Sequence, residues 1–313
     1  MTRVAILDDY QGVAESLADW SGLDVTSFRD HLADEAAVAE RLAAFDVVVA
    51  MRERTPFPRT LLERLPNLRL LVTTGMRNAS IDVAAARDLG VVVCGTGGSA
   101  SATPELTWGL VLAVTRGIPQ EHASVRAGGW QVGLGVGLAD KTLAVLGLGR
   151  IGLQVARYGL AFGMEVVAWS ENLTRERAES VGARRVERDE LFATADVLTI
   201  HLVLSSRTRG LVGAHELGLM KPTAFLVNTS RGPIVDEAAL VDVLERGAIA
   251  GAALDVFDEE PLPPEHRFRR LPNLVTTPHV GYVTQESYRV FYGEAAEDVR
   301  AFLAGEPVRV IER

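Results

Sequence analysis

Three stretches of the chain each follow an apolar run with an ionisable side chain. FLVNTSRGPIVD, Phe225 to Asp236, carries Arg231 at its turn. GAALDVFDEEPLP, Gly251 to Pro263, ends in acids, from Asp255 to the patch Asp258–Glu260. LVTTPHVGY, Leu274 to Tyr282, ends in Pro278 and His279. A cation, a carboxylate and an imidazole suit one kind of chemistry. A hydride leaving or entering a carbon requires a proton to leave or enter the attached oxygen. Histidine does this well because its unperturbed pKa of about 6.5 lies near working pH. A carboxylate behind the ring orients it and favours the imidazolium. An arginine grips a substrate carboxylate in bidentate fashion and polarises a neighbouring carbonyl. Taken singly, the arginine reads as a solvated cap, and the acid and the histidine as structural; only the ordered set carries chemistry. His201, at another strand end, reads as structural or cofactor-lining.

Such a reaction needs a hydride carrier, and KTLAVLGLGRIGLQVARYG, Lys141 to Gly159, contains a motif for one. The apolar run Thr142–Leu146 predicts a buried parallel strand. It feeds Gly147, Gly149 and Gly152, then an apolar-periodic helix. The first glycine permits a tight turn, the second lets the backbone approach a pyrophosphate, and the third lets helix and strand pack closely. The helix N-terminus offers N–H groups and a positive dipole end to the phosphates. GLGVG, Gly133 to Gly137, lacks the flanking strand and helix and reads as a loop. An acidic residue is expected about twenty residues beyond the glycines, on the adenosine ribose. VVAWSENLTRER places Ser170 there, with Glu171 next. Serine cannot repel a 2′-phosphate, and Arg175 and Arg177 could help hold one. Glu171 argues for the free diol. NAD is the expected cofactor, with NADP left open.

The elements that position these residues alternate strand and helix, which predicts parallel sheets with helices on both faces. Early strands are predicted at Arg3–Leu7, Leu23–Ser27, Asp46–Met51, Leu68–Thr73 and Val91–Cys94. GTGGSASATPEL, Gly95 to Leu106, reads as a crossing between domains. Beyond it, six strands are predicted: Thr142–Leu146, Glu165–Trp169, Val197–His201, Ala224–Asn228, Gly251–Asp255 and Leu274–Thr276. Six is the count of a full dinucleotide-binding sheet. The amphipathic helix Gln285–Leu303 is therefore assigned back to the first domain. The expected division is 1–98 plus 286–313 for substrate and 99–285 for the dinucleotide, with a cleft between them that closes about Gly95–Thr103 and Val283–Gln285.

A chain of 313 residues with 48% hydrophobic and 23% charged content has the composition of a soluble globular protein. No apolar run reaches the roughly 20 residues of a membrane span. The opening MTRVAILDDY reads as a first strand and not as a signal peptide. A net charge of −9 without a basic block argues against nucleic acid. One cysteine, Cys94, excludes an internal disulfide and a cysteine-built metal site. A cytoplasmic location, a small-molecule partner and no metal follow as expectations.

The segments NTSRG, DVFDEEP and PHVG resemble the D-isomer-specific 2-hydroxyacid dehydrogenase family, and the likeness spans nearly the whole chain. The family pattern NxxRG, DVFxxEP and PHxG falls on Arg231, Glu260 and His279, separated by 29 and 19 residues in the family order. The resemblance implies a Rossmann dinucleotide-binding domain inserted into a flavodoxin-like substrate domain, both α/β and doubly wound. It implies that Arg231 binds the substrate carboxylate and carbonyl, that His279 is the acid/base, and that Glu260 is its partner. It further implies that Asp255 contacts the nicotinamide carboxamide, that Arg150, Ile151, Thr229 and Ser230 line the cofactor through their backbone, and that the protein is a homodimer. The implied activity is NAD(P)-dependent interconversion of a 2-oxo acid and a D-2-hydroxy acid. Two relatives set alternatives: corepressor-like, NAD-sensing interaction proteins, which carry long tails, and formate dehydrogenases, which have Gln where this chain has Glu260.

The first domain departs from the family. Its substrate loop, usually GxGxDxxD, reads GMRNASID from Gly75 to Asp82, with Arg77 and Ala79 in place of Gly and Asp. Another strand end reads MRERTP, with Arg52 and Arg54. The expected substrate contacts are the N–H groups near Gly75 and Met76, with Arg52 and Arg77 adding positive charge for a second anionic or polar group.

Overall fold

Two parallel sheets organise the chain in the computed structural model, which describes residues 1–312. Met1–Ser99 and the chain from Val283 onward form one unit, and Ala100–Tyr282 forms the other.

The first unit holds β1 (Arg3–Ile6), β2 (Asp24–Ser27), β3 (Val47–Ala50), β4 (Leu70–Thr73) and β5 (Val92–Gly95). Their order, β2-β1-β3-β4-β5, is that of flavodoxin-like sheets. VVVA in β3 and LLVT in β4 are buried throughout, the signature of parallel strands covered on both faces. Ala5, Val48, Ala50, Leu71 and Val93 share one apolar layer with the helices Glu35–Leu42 and Val83–Asp88. The helix Gln285–Leu303 packs on β4 and on the short helix Ala14–Leu17, burying Tyr288, Phe291, Tyr292, Ala295, Ala296 and Val299. Its N-cap is Thr284, whose hydroxyl accepts the Ser287 N–H at 3.2 Å.

The second unit holds seven strands: β6 (Thr142–Leu146), β7 (Glu165–Trp169), β8 (Arg184–Arg185), β9 (Val197–Ile200), β10 (Phe225–Asn228), β11 (Gly251–Leu254) and β12 (Leu274–Thr276). They pair in the order β12-β11-β10-β9-β6-β7-β8. Counted from β6, this is the 3-2-1-4-5-6 Rossmann order with one further strand beside it. The expectation of six strands is corrected here: β8 is a two-residue edge strand, Arg-Arg, with no apolar pattern to announce it. The strand predicted as the sixth is the seventh.

Successive residues of this sheet face opposite layers, as a period of two requires. Leu143, Val145, Val166, Val197, Val227 and Ala253 enter one core. Ala144, Leu146, Val167, Leu198, Leu226 and Ala252 enter the other. The order reverses between β6 and β9, so the crevice for a ligand opens beyond their carboxyl ends.

Candidate active site

The glycine motif lies at that crevice. Gly147 follows β6 with φ +103°, a backbone region that favours glycine. A Cβ there would lie 2.8 Å from the carbonyl oxygen of His201, the residue after β9. A Cβ on Gly152 would lie 2.1 Å from the Gly147 carbonyl oxygen, so the helix Arg150–Ala161 can approach the turn only with glycine there. Gly149 differs: a Cβ on it would meet nothing within 4 Å. It is the N-cap residue and brings no side chain to the N-terminal N–H groups. Two glycines thus serve packing, and the one between them keeps open the face a pyrophosphate needs. Arg150 is exposed beside it and Ile151 is half-buried. These residues fit a dinucleotide.

Ser170 is half-buried just past β7, and the neighbouring Trp169 carbonyl accepts the Gly147 N–H at 2.9 Å. The end of β7 is thereby tied to the motif. Glu171, Arg175 and Arg177 are exposed beyond it. Burial pushes the His201 imidazole down to about 3, and its Nε2 is buried without a hydrogen-bond partner. Both favour a neutral ring at His201.

Arg231, Glu260 and His279 follow three adjacent strands, β10, β11 and β12. The structure brings two of them into direct contact, with His279 Nδ1 2.5 Å from Glu260 Oε2. An ionised carboxylate only accepts, so Nδ1 donates and Nε2 is left for other partners. The second Glu260 oxygen accepts the Phe257 N–H at 2.9 Å, which pins the carboxylate to its own loop. The Tyr282 ring meets the imidazole edge-on, centroids 5.4 Å apart.

Arg231 stands at a turn fixed by Asn228, which is buried at the end of β10. The Asn228 side chain donates to the Arg231 carbonyl and accepts the Ser230 N–H, each at 3.0 Å. The Ser230 hydroxyl donates to the Leu202 carbonyl, joining this turn to the chain after β9. The Arg231 guanidinium donates to the Ser230 carbonyl at 2.8 Å. A Cβ on the next residue, Gly232, would lie 2.1 Å from the Phe257 carbonyl carbon. Only glycine lets the Arg231 turn approach the loop that carries Glu260.

Asp255 is buried at the end of β11 and accepts from Thr277, Val280 and Gly281. Burial pushes its carboxyl up from the usual aspartate range, while these donors and the nearby His279 pull it back. Sequence reasoning did not single out Thr277, nor Thr103 and Thr107 on the helix Ala102–Arg116. Thr103 donates to the Gly281 carbonyl at 3.1 Å, and the Thr107 and Thr229 hydroxyls lie 2.7 Å apart. The available signal is a pair of hydroxyls four residues apart in a largely apolar helix that also carries Glu105, Thr115 and Arg116.

In the first unit, Arg52 follows β3 with φ +51°. Its Nη1 donates to the Thr74 carbonyl at 3.2 Å, and its Nε lies 3.7 Å from Glu53. A Cβ on Gly75, which has φ +99°, would lie 1.9 Å from that Nη1. Arg52 therefore lies across the glycine. The Gly75 N–H donates to the Thr96 hydroxyl at 2.9 Å, which corrects the expectation that this amide faces a ligand. Met76 and Arg77 are exposed.

A family model describing the NAD-binding domain of D-isomer-specific 2-hydroxyacid dehydrogenases matches residues 108–281. A glyoxylate reductase of Aeropyrum pernix is 42% identical over 264 residues, covering 81% of this chain and 79% of that protein. A D-3-phosphoglycerate dehydrogenase of Methanocaldococcus jannaschii is 39% identical over 271 residues, 85% of this chain and 51% of that protein. The chain thus spans about half the length of the phosphoglycerate dehydrogenases it matches. The crystal structure of a phosphoglycerate oxidoreductase from Vibrio cholerae O395 is 40% identical, with a TM-score of 0.94 over 97% of this chain and 100% of that one. The motif-bearing unit carries an NAD-binding domain, and the chain belongs to the D-isomer-specific 2-hydroxyacid dehydrogenase family.

Proposed function

We propose that this protein interconverts a 2-oxo acid and its D-2-hydroxy acid with NADH and NAD as the hydride carrier pair. The observation that carries the reading is the 2.5 Å contact between His279 and Glu260, which follow the paired strands β12 and β11, with β11 also pairing with β10, the strand that Arg231 follows. When bound, the nicotinamide supplies or accepts the hydride. His279, held by Glu260 through Nδ1, uses Nε2 to give a proton to the carbonyl oxygen or to take one from the hydroxyl. Arg231 grips the substrate carboxylate and polarises the carbonyl. Gly147, Gly149 and Gly152, with the Arg150 and Ile151 backbone, receive the pyrophosphate. Ser170 meets the adenosine ribose, and Thr229, Ser230 and Asp255 the nicotinamide end.

In the first unit, the Met76 and Arg77 amides are assigned to the substrate carboxylate, since the Gly75 amide is engaged by Thr96. Arg52 and Arg77 supply positive charge for a second anionic or polar group on the substrate. Replacing Arg77 with Ala tests this directly: KM should rise for oxo acids bearing such a group, and an unchanged KM across a panel would refute it.

A cytoplasmic homodimer completes the reading. The Trp130–Leu138 loop supports the dimer: Trp130, Val132 and Leu134 are 75%, 60% and 101% exposed. Glu121 accepts the Val132 and Gly133 N–H groups, which holds this apolar loop in shape. Buried Cys94, its thiol pushed up to about 12 by burial, fits a reducing compartment in which it stays inert.

A spectrophotometric screen of 2-oxo acids with NADH and with NADPH tests the function. Turnover of at least one acid to the D-product, faster with NADH, is expected. No turnover on any acid, or an L-product, would refute the activity, and a strong NADPH preference would refute the cofactor assignment.

A further inference from the structure

We propose that Asp255 is a positioning residue: its carboxylate clamps the Thr277–Gly281 loop and so fixes where His279 presents its ring. The inference rests on the reading of His279 as acid/base and goes beyond the cofactor contact assigned to Asp255. Asp255 directly follows β11, and the loop follows the neighbouring β12. Its Oδ1 accepts the Thr277 hydroxyl at 2.6 Å and the Val280 N–H at 2.8 Å, and its Oδ2 accepts the Gly281 N–H at 2.8 Å. The donors lie on both sides of His279 in the chain.

His279 needs such a hold. Its φ of +53° is sterically disfavoured for a residue with a Cβ. A backbone of that kind persists where its surroundings over-determine it. The His279 N–H is spent locally, donating to the Thr277 carbonyl at 3.0 Å. The restraint therefore comes from its neighbours, and all three donors converge on one carboxylate that is 1% exposed. Gly281 completes the fit, since a Cβ there would lie 3.1 Å from Asp255 Oδ2.

Glu260 and Asp255 thus divide the work: Glu260 sets the imidazole tautomer, and Asp255 sets the backbone that carries the ring. A carboxylate offers about four acceptor positions. The loop takes three, which leaves one for the cofactor contact proposed above. Asparagine cannot substitute, because its single acceptor oxygen leaves an NH2 facing an N–H.

The test compares Asp255→Asn and Thr277→Val in the full chain with NADH bound. A displacement of the order of 1 Å at a reacting group costs about a hundredfold in rate. Asp255→Asn is expected to lower kcat about 100-fold and Thr277→Val, which removes one donor of three, about 10-fold. Thr277→Val should leave NADH affinity, read by cofactor fluorescence, within about twofold of the parent. Amide hydrogen exchange at Val280 and Gly281 should quicken at least about tenfold in both variants. Parental kcat and parental exchange in Thr277→Val would overturn the proposal. So would an Asp255→Asn protein that loses only NADH affinity. The exchange measurement needs no turnover: if the parent reduces no 2-oxo acid, the hydride reading falls alone, and unchanged exchange in both variants would sink the clamp alone.

Discussion

Replacing Glu260 with glutamine isolates what the carboxylate does for His279. The carboxylate accepts two hydrogen bonds at once, from His279 Nδ1 at 2.5 Å and from the Phe257 N–H at 2.9 Å. Glutamine has the same shape but one acceptor oxygen, so it satisfies only one of these donors. If its oxygen stays with Phe257, its NH2 faces Nδ1, and the neutral ring must move its proton to Nε2. Hydrogen bonds to a charged group contribute about 1.5–3 kcal/mol. The His279 and Glu260 side chains are 18% and 32% exposed, so solvent competes and the middle of that range applies. About 2 kcal/mol at 1.36 kcal/mol per decade is a loss of roughly 30-fold in kcat. Oxidation of the hydroxy acid should suffer more than reduction of the oxo acid, because oxidation needs Nε2 free to accept. Initial rates in both directions, followed through NADH absorbance, together with an NADH binding titration, make the measurement. A variant within about threefold of the parent in both directions, or one whose loss lies wholly in NADH affinity, would refute the reasoning.

Three further outcomes follow from the same geometry. Gly149→Ala should leave stability within about 0.5 kcal/mol, since the new Cβ meets nothing within 4 Å, yet weaken NADH binding about tenfold or more; Gly152→Ala, whose Cβ would lie 2.1 Å from a carbonyl oxygen, should lose both. Paired thermal melts and binding titrations separate the two, and equal effects would contradict the assigned roles. Arg231→Lys should raise KM for the oxo acid by roughly 10- to 100-fold with NADH affinity unchanged, because the bidentate grip is lost; a KM unchanged across substrates would count against it. Asp298 gives a pH dependence in the first unit. Burial pushes this fully buried carboxyl up to about 7, with Arg309 pulling it back and Glu294 and Glu297 adding to the rise. Between pH 3.8 and 7 the folded form therefore holds a proton that the unfolded form has released. Stability from this group is present at low pH and fades as pH rises through 7, a change of about 2 kcal/mol between pH 5.5 and 8. Denaturant melts of Asp298→Asn at both pH values should show that slope flattened, and an unchanged slope would overturn the assignment.

Much of this protein is legible in its sequence because the strands at the centre of each sheet are buried on both faces. TLAVL and LVT are apolar or β-branched runs, β6 and β12 begin and end where those runs do, and β7, EVVAW, adds one exposed glutamate before its run. The helix Gln285–Leu303 is equally plain, since its N-cap threonine and amphipathic spacing agree. β8 was invisible because two arginines at a sheet edge pair through backbone alone. In the site, the glycine motif, Arg231, Glu260 and His279 announce themselves by order and spacing. The groups that aim them do not. Thr103, Thr107 and Thr277 reach partners 178, 122 and 22 residues away, and Asn228 closes its own turn with two short-range hydrogen bonds, none of which leaves a periodic trace. The engagement of the Gly75 amide is hidden for a related reason: its partner, the Thr96 hydroxyl, lies 21 residues away on the next strand end.

In the proposed reaction, hydride passes between the nicotinamide and a substrate carbon while His279 moves the proton. The most direct measurement is the fate of deuterium from NADH labelled at C4, with a 2-oxo acid that the screen identifies. Deuterium at C2 of a D-2-hydroxy acid, with turnover lowered about a thousandfold or more in His279→Gln at unchanged NADH affinity, is the expected result. Deuterium lost to solvent, an L-product, or parental turnover in His279→Gln would contradict it.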